Sequence, residues 1–177
     1  RPPPWLPQPL HIRTMGRVIV AAPPAYTALV DTVLPVASQA ATTVDRYTRP
    51  AARPERYVIF LAGPAEQQLW YGLGPASVLD PRKQNYLGMA MHLSRAQIDI
   101  ILPVDRLQPT DYPLVMRHEM GHVLTLLGEP DEPTYQDTVP DWAAEGIAEY
   151  IGWTGQPPAA YDRLPTIRRY AAARRWN

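Results

Sequence analysis

The sequence predicts an α+β domain, and three observations support this. Short apolar runs rich in β-branched residues, typical of strands, are concentrated in the first 104 residues. From residue 111 onward, apolar residues recur at helical spacing instead. The 177 residues, of which 46% are hydrophobic, suit one globular core, because chains of this length seldom divide into two domains. A strand-rich half followed by a helical half is typical of the α+β class.

The first half is predicted to contain four strands and two helices. Residues 1–15 are Pro-rich and are expected to form an extended linker, so the single domain is predicted at 16–177. Pro35 is expected to kink or break the first helix. The predicted elements are a strand at 16–23, a helix at 25–47, a buried central strand at 56–63, a short helix at 64–74, and a hairpin with strands at 86–93 and 98–104.

The second half is predicted to contain three helices. Asp111 suits the N-cap of the first, which Gly128 would end. A polar, Pro-rich loop follows at 128–140. Asp141 suits the N-cap of the next helix, which Gly152 would end, and a last, Arg-rich helix is predicted at 162–175.

Composition excludes several functions. The net charge of +0 offers no electrostatic basis for binding nucleic acid, and the absence of cysteine excludes disulfides and thiolate chemistry. No run of 18 apolar residues exists, so no membrane insertion is expected within this segment. Lys83 is the only lysine among 17 basic residues, which suggests a GC-rich bacterial genome. The chain opens on a Pro-rich stretch without Met, so we expect an extracytoplasmic protein, secreted or anchored through an upstream segment.

The stretch "HEMGH" carries the strongest chemical signal. Four residues of helix turn about 400°, so His118 and His122 project from one face and can reach one Zn²⁺ at about 2.0–2.1 Å. Glu119 lies about 100° round the helix, where it can take a proton from a metal-activated water. Gly121 leaves the space near the metal open. Two histidines can also share a helix face by chance, so a third ligand is needed. A second stripe is predicted to anchor this helix in the core: Met116, Met120, Val123 and Leu127.

Glu145 and Glu149 are the strongest candidates for the remaining carboxylates. They lie one helical turn apart in "DWAAEGIAEY" and would repel each other unless a positive charge faced them. Asp131 and Asp137 in the preceding loop compete as ligands, and a solvated pair of surface glutamates is the alternative without a metal. Small residues would let this helix pack closely on the histidine helix: Ala143, Ala144, Gly146 and Ala148.

The motif "HEMGH" followed by "WAAEGIAEY" resembles the gluzincin metallopeptidases, most closely the short peptidase MA-like domains. The matching region runs from about residue 112 to 152. The resemblance implies a minimal thermolysin-like domain with a small mixed β-sheet, an active-site helix and a following glutamate helix. It implies that His118, His122 and Glu145 bind zinc and that Glu119 is the general base. It implies that Glu149 orients the first ligand histidine through a hydrogen bond.

These residues predict zinc-dependent hydrolysis of peptide bonds, by an endopeptidase that we expect to be monomeric. The peptide or protein substrate would lie extended along a strand of the predicted hairpin. One alternative is a non-catalytic domain that zinc only stabilises, although a structural site would not need the base Glu119. Another alternative is a regulatory domain of a larger membrane-anchored protein.

A donor that stabilises the oxyanion is harder to assign. Gluzincins usually place a Tyr or His donor after the glutamate helix, and no histidine follows His122. Tyr150 is predicted to point about 140° away from Glu145. Tyr161 and Tyr170 remain, so we expect either that Tyr161 swings over the cleft or that the chain is truncated at its C-terminus. His11 and His92 are expected to be structural or exposed residues.

Overall fold

A five-stranded mixed sheet organises the chain. The computed structural model describes residue 4 and residues 6–71, 86–127 and 139–173. The strands are β1 (His11–Met15), β2 (Val18–Ala22), β3 (Tyr57–Ala62), β4 (Met89–Ser94) and β5 (Gln97–Pro103). Their order in space is β1-β2-β3-β5-β4. The inner pairs β2/β3 and β3/β5 are parallel, whereas β1/β2 and β4/β5 are antiparallel hairpins.

Five helices accompany the sheet in the part of the chain that the structure describes. They are α1 (Thr27–Val44), α2 (Pro64–Glu66, continued by a π-helical turn at Gln67–Tyr71), α3 (Tyr112–Leu126), α4 (Asp141–Gly152) and α5 (Leu164–Ala172). This mixed architecture is α+β, which confirms the predicted fold class. Among these described helices, none combines the length and the apolar character that a membrane crossing requires.

The main core lies between one face of the sheet and the helices α1 and α3. Val20, Ile59 and Ile100 are fully buried on this face. From α3, Met116 and Met120 are fully buried in the same cluster, so the stripe that was expected to anchor this helix does so. A smaller cluster on the opposite face includes Phe60, Trp70 and Ile101. Since α4 packs on α3, the sheet, α3 and α4 form successive layers.

The predicted linker at residues 1–15 is wrong in its last third, because His11–Met15 forms β1. Backbone hydrogen bonding to β2 creates this strand, and most of its side chains are exposed. Gly16 permits the tight turn between the two strands, since its φ of 58° lies in the left-handed region that glycine favours.

Pro35 does not break its helix, and Asp111 does not cap the helix that follows it. Pro35 lies inside α1, and the helix runs through it without being broken. Asp111 precedes α3 but makes no capping hydrogen bond with its side chain. Instead, its carboxylate accepts a hydrogen bond from the backbone N–H of Gln108 at 2.8 Å. The predicted end of this helix at Gly128 lies outside the described residues.

The predicted hairpin is confirmed and leaves β4 at the edge of the sheet. β4 pairs only with β5 among the described strands, so it lies at the edge of the described sheet. A turn at Arg95 and Ala96 joins the strands, shorter than the four-residue connection predicted. Of the two strands proposed to receive a peptide, β4 is therefore the one at the edge of the described sheet.

Candidate metal centre

His118 and His122 face each other on α3, as their spacing predicts. Their Nε2 atoms lie 3.1 Å apart. Burial lowers the pKa of His118, although the nearby Glu145 and Glu149 carboxylates act in the opposite direction. Burial also lowers the pKa of His122, and the neighbouring His118 adds to this effect. Both shifts favour the neutral imidazole, which is the protonation state that binds a metal ion.

Glu145 of α4 completes a triangle of donor atoms. Its Oε2 lies 3.6 Å from Nε2 of His118 and 3.6 Å from Nε2 of His122. A tetrahedral zinc site with bonds of about 2.0–2.1 Å separates its ligand atoms by about 3.3 Å. Because the three observed separations bracket that value, two imidazoles and one carboxylate fit a zinc ion. Among the described residues, these three form the group of metal-ligating type that lies this close together.

Glu149 contacts the other side of the His118 ring. Its Oε2 lies 3.3 Å from Nδ1 of His118, while its side chain is mostly buried. In a neutral imidazole only one nitrogen carries a proton, so an Nδ1–H that donates to Glu149 leaves the lone pair on Nε2. That lone pair then faces the donor triangle. The carboxylate thus selects the tautomer that can bind a metal.

Glu119 is buried between α3 and the edge strand β4. Only 6% of its surface is exposed, and its carboxylate accepts a hydrogen bond from the backbone N–H of Ala90. Burial, reinforced by the Glu145 charge, raises the pKa of Glu119 to about 8. A cation at the donor triangle would oppose both effects and favour the ionised base.

Gly88 makes room for this base, a contact that the sequence did not indicate. A Cβ atom at Gly88 would lie 2.6 Å from Cγ of Glu119. The chain just before β4 can therefore approach the Glu119 carboxylate only because position 88 carries no side chain.

The helices α3 and α4 approach closely at two glycines. A Cβ at Gly121 would lie 2.9 Å from Cα of Ala148, and a Cβ at Gly152 would lie 3.3 Å from Cβ of His118. Gly121 therefore serves the contact between helices and does not keep the metal space open, as its sequence position suggested. Arg117, which sequence reasoning missed, donates from Nε to the carbonyl oxygen of Gly152 at 2.8 Å. These contacts fix Glu145 relative to the two histidines.

Only part of the predicted small-residue surface takes part in this packing. Ala148 is fully buried against α3, but no atom lies within 4 Å of a Cβ built on Gly146. Gly152, predicted only to end the helix, supplies the second close contact.

Gly121→Ala is expected to reduce stability and metal affinity together. The added methyl group would displace the backbone of α4 and move Glu145, at a cost of about 1–3 kcal/mol in the free energy of unfolding. Gly146→Ala is the matched control, because its methyl group meets open space and alanine favours helix. Urea unfolding and competition with a zinc chelator measure the two quantities. Unchanged values for Gly121→Ala would show that this close approach does not position the ligand.

The predicted oxyanion candidates lie elsewhere. Burial and hydrogen bonding to Glu149 raise the pKa of Tyr161, and its ring packs edge-on against Trp153 at 5.0 Å between centroids. Tyr150 is 71% exposed, and its ring packs edge-on against that of Tyr47 at 5.9 Å between centroids. Tyr170 lies on α5 with the Arg169 guanidinium over its ring. A role for Tyr161 at the oxyanion stays a prediction.

The remaining candidates do not join the donor group. His11 and His92 lie on β1 and β4, and each has a buried Nε2. Neither belongs to the described cluster of metal-ligating residues. Trp142 is 79% exposed and lines an open apolar groove between α4, Leu124 of α3 and Tyr47. The loop carboxylates Asp131 and Asp137 lie outside the described residues.

Comparisons of the chain with protein-family models, with curated proteins and with solved structures found no significant match. The spacing of the motif residues and the geometry of the donor triangle are therefore the features that bear on function.

Proposed function

We propose that this protein is a zinc-dependent peptidase of gluzincin type, built on a minimal thermolysin-like domain. The observation that carries the proposal is the donor triangle of His118, His122 and Glu145. A buried carboxylate, Glu119, follows the first of these ligands in sequence and is held by β4 instead of joining the triangle. Catalytic zinc sites combine three protein ligands with a separate general base.

The three donors would hold the metal, and Glu119 would move the proton. When bound, zinc supplies Lewis acidity, which makes water a stronger acid and a carbonyl a better electrophile. Glu119 would accept the proton of the attacking water and then deliver it to the nitrogen of the leaving amine. The N–H of Ala90 would orient the carboxylate during both transfers. Glu149 would keep His118 in the tautomer that binds metal.

The edge strand β4 would align the substrate. An extended peptide can add to an open sheet edge through backbone hydrogen bonds. β4 lies at the edge of the described sheet and contacts Glu119 through Ala90, and Gly88, just before the strand, packs against the same side chain. A peptide or protein bound along β4 would therefore pass the general base. We propose that the enzyme acts as a monomer outside the cytoplasm of a bacterium.

A purely structural zinc site is the main alternative, and the burial of Glu119 disfavours it. A carboxylate that is 6% exposed with a raised pKa is costly to keep ionised. A structural site gains nothing from this cost, since it needs a fourth protein ligand and no base. A regulatory domain of a larger membrane-anchored protein could carry the same site. Proteolysis assays distinguish both alternatives from a peptidase.

The test combines metal analysis with digestion of a mixed peptide library. We expect about one zinc per chain, cleavage that stops after chelation, and recovery when zinc is restored. Zinc at full occupancy without cleavage of any peptide would support the structural or regulatory alternative. A protein that binds no zinc would contradict the metal centre itself.

A further inference from the structure

We infer that Tyr161 is a positioning residue of the metal centre, acting on His118 through Glu149, with Arg163 as a second support. This inference rests on the metal centre of the proposed function and extends it to a segment outside the recognised motifs. It assigns to the Tyr161 hydroxyl a role in metal binding, in place of contact with the substrate.

Glu149 is contacted from both sides. Its Oε2 faces Nδ1 of His118 at 3.3 Å, and its Oε1 lies 3.8 Å from Nη1 of Arg163. Burial raises the pKa of Tyr161, and hydrogen bonding to the same carboxylate raises it further, which indicates that the hydroxyl lies beside Glu149. A carboxylate with partners on both sides loses rotational freedom, so its acceptor atom stays directed at the imidazole. The orientation of His118 therefore depends on residues that follow α4.

The segment after α4 folds back to deliver Tyr161. Trp153 directly follows the helix, and its ring packs edge-on against the Tyr161 ring. Between them, Gly155 adopts a φ of 82°, which permits the chain to reverse direction. Thr154 is tied to the turn that follows α1, since its Oγ1 lies 2.7 Å from the hydroxyl of Tyr47. The position of Tyr161 is thus set by packing and by hydrogen bonds at both ends of the reversal.

The expected loss of zinc affinity depends on how many contacts separate each residue from the metal. Loss of a carboxylate that orients a ligand histidine typically weakens metal binding by about 10–100-fold. Tyr161 acts one contact further out, and Arg163 would still restrain Glu149 in its absence. Removing the hydroxyl should therefore weaken metal binding by roughly 3–10-fold, less than loss of Glu149.

The experiment compares zinc affinity by chelator competition in four variants of the full chain. Tyr161→Phe removes the hydroxyl but keeps the ring against Trp153, and Tyr170→Phe removes an equivalent hydroxyl from exposed α5 as the matched control. Glu149→Ala gives the larger reference effect. In the double variant of Glu149→Ala with Tyr161→Phe, no further loss is expected, because the hydroxyl acts through the carboxylate. The absorption spectrum of bound Co²⁺ should shift in Tyr161→Phe and not in Tyr170→Phe.

Three results would overturn the inference. One is an unchanged zinc affinity in Tyr161→Phe, including the case in which turnover alone falls, which would return the hydroxyl to the oxyanion role. Another is a double variant that loses affinity additively, since the two residues would then act independently. A third is a fall in the urea stability of metal-free Tyr161→Phe that equals its loss of zinc-binding free energy. The weaker zinc binding would then be an effect on folding. If the parent protein bound no zinc, the proposed function would fail instead, and metal analysis alone would show it.

Discussion

Glu119→Gln should keep its zinc and lose turnover by roughly 10²–10⁴-fold or more. Glutamine has the shape of glutamate and can still accept the N–H of Ala90, so the burial of this side chain against β4 is preserved. It cannot accept a proton from water at neutral pH. Metal content and the kcat/KM for a cleaved peptide are the two measurements.

The matched control for this variant is Glu55→Gln, which makes the same chemical change on an exposed residue far from the site in sequence. It should retain the parent rate. Peptide cleavage by Glu119→Gln at the parent rate would exclude the general-base role. A variant that lost zinc as well as turnover would instead place Glu119 among the ligands.

Replacing Glu145 with alanine should abolish stoichiometric zinc and activity together. Only two imidazoles would remain of the donor triangle, and zinc sites with two protein ligands are not among the stable kinds. His118→Ala and His122→Ala should have the same effect. Zinc content after gel filtration and peptide cleavage, measured on the same samples, check the coupled loss.

Asp141→Ala provides the control, because it removes an exposed carboxylate from the same helix outside the donor triangle. This variant should keep zinc and activity. Full zinc occupancy in Glu145→Ala would disprove its assignment as third ligand. The competing loop carboxylates, Asp131 and Asp137, would then be the next candidates.

The pairing of donors within each helix could be predicted from the sequence because helical periodicity is a local property, whereas the approach of Glu145 to the two histidines was only implied by the family resemblance. Two residues four apart share a helix face whatever the tertiary context, which places His118 beside His122 and Glu145 beside Glu149. The run that forms β3 was predictable for a similar reason. A continuous apolar stretch needs burial on both sides, which a central strand provides.

The features that could not be predicted depend on contacts distant in sequence. β1 has a mostly exposed surface and follows prolines, so no alternation of polar and apolar residues marked it as a strand. The helix contact at Gly121 exists only once Ala148 is placed opposite. Tyr161 reaches Glu149 through a chain reversal without periodic pattern, and only packing against Trp153 defines where its hydroxyl lies.

The exposure of α5 implies an uneven resistance to local unfolding. In this helix Leu164 is half-buried and the other described side chains are exposed, whereas β3 and α3 lie in the main core. Amide hydrogens of α5 should therefore exchange with solvent through small openings, and those of β3 only through global unfolding. Tyr161 lies just before α5, at the boundary between these regimes. An opening that starts in α5 would release the support of Glu149 while the zinc ligands on α3 and α4 stayed folded.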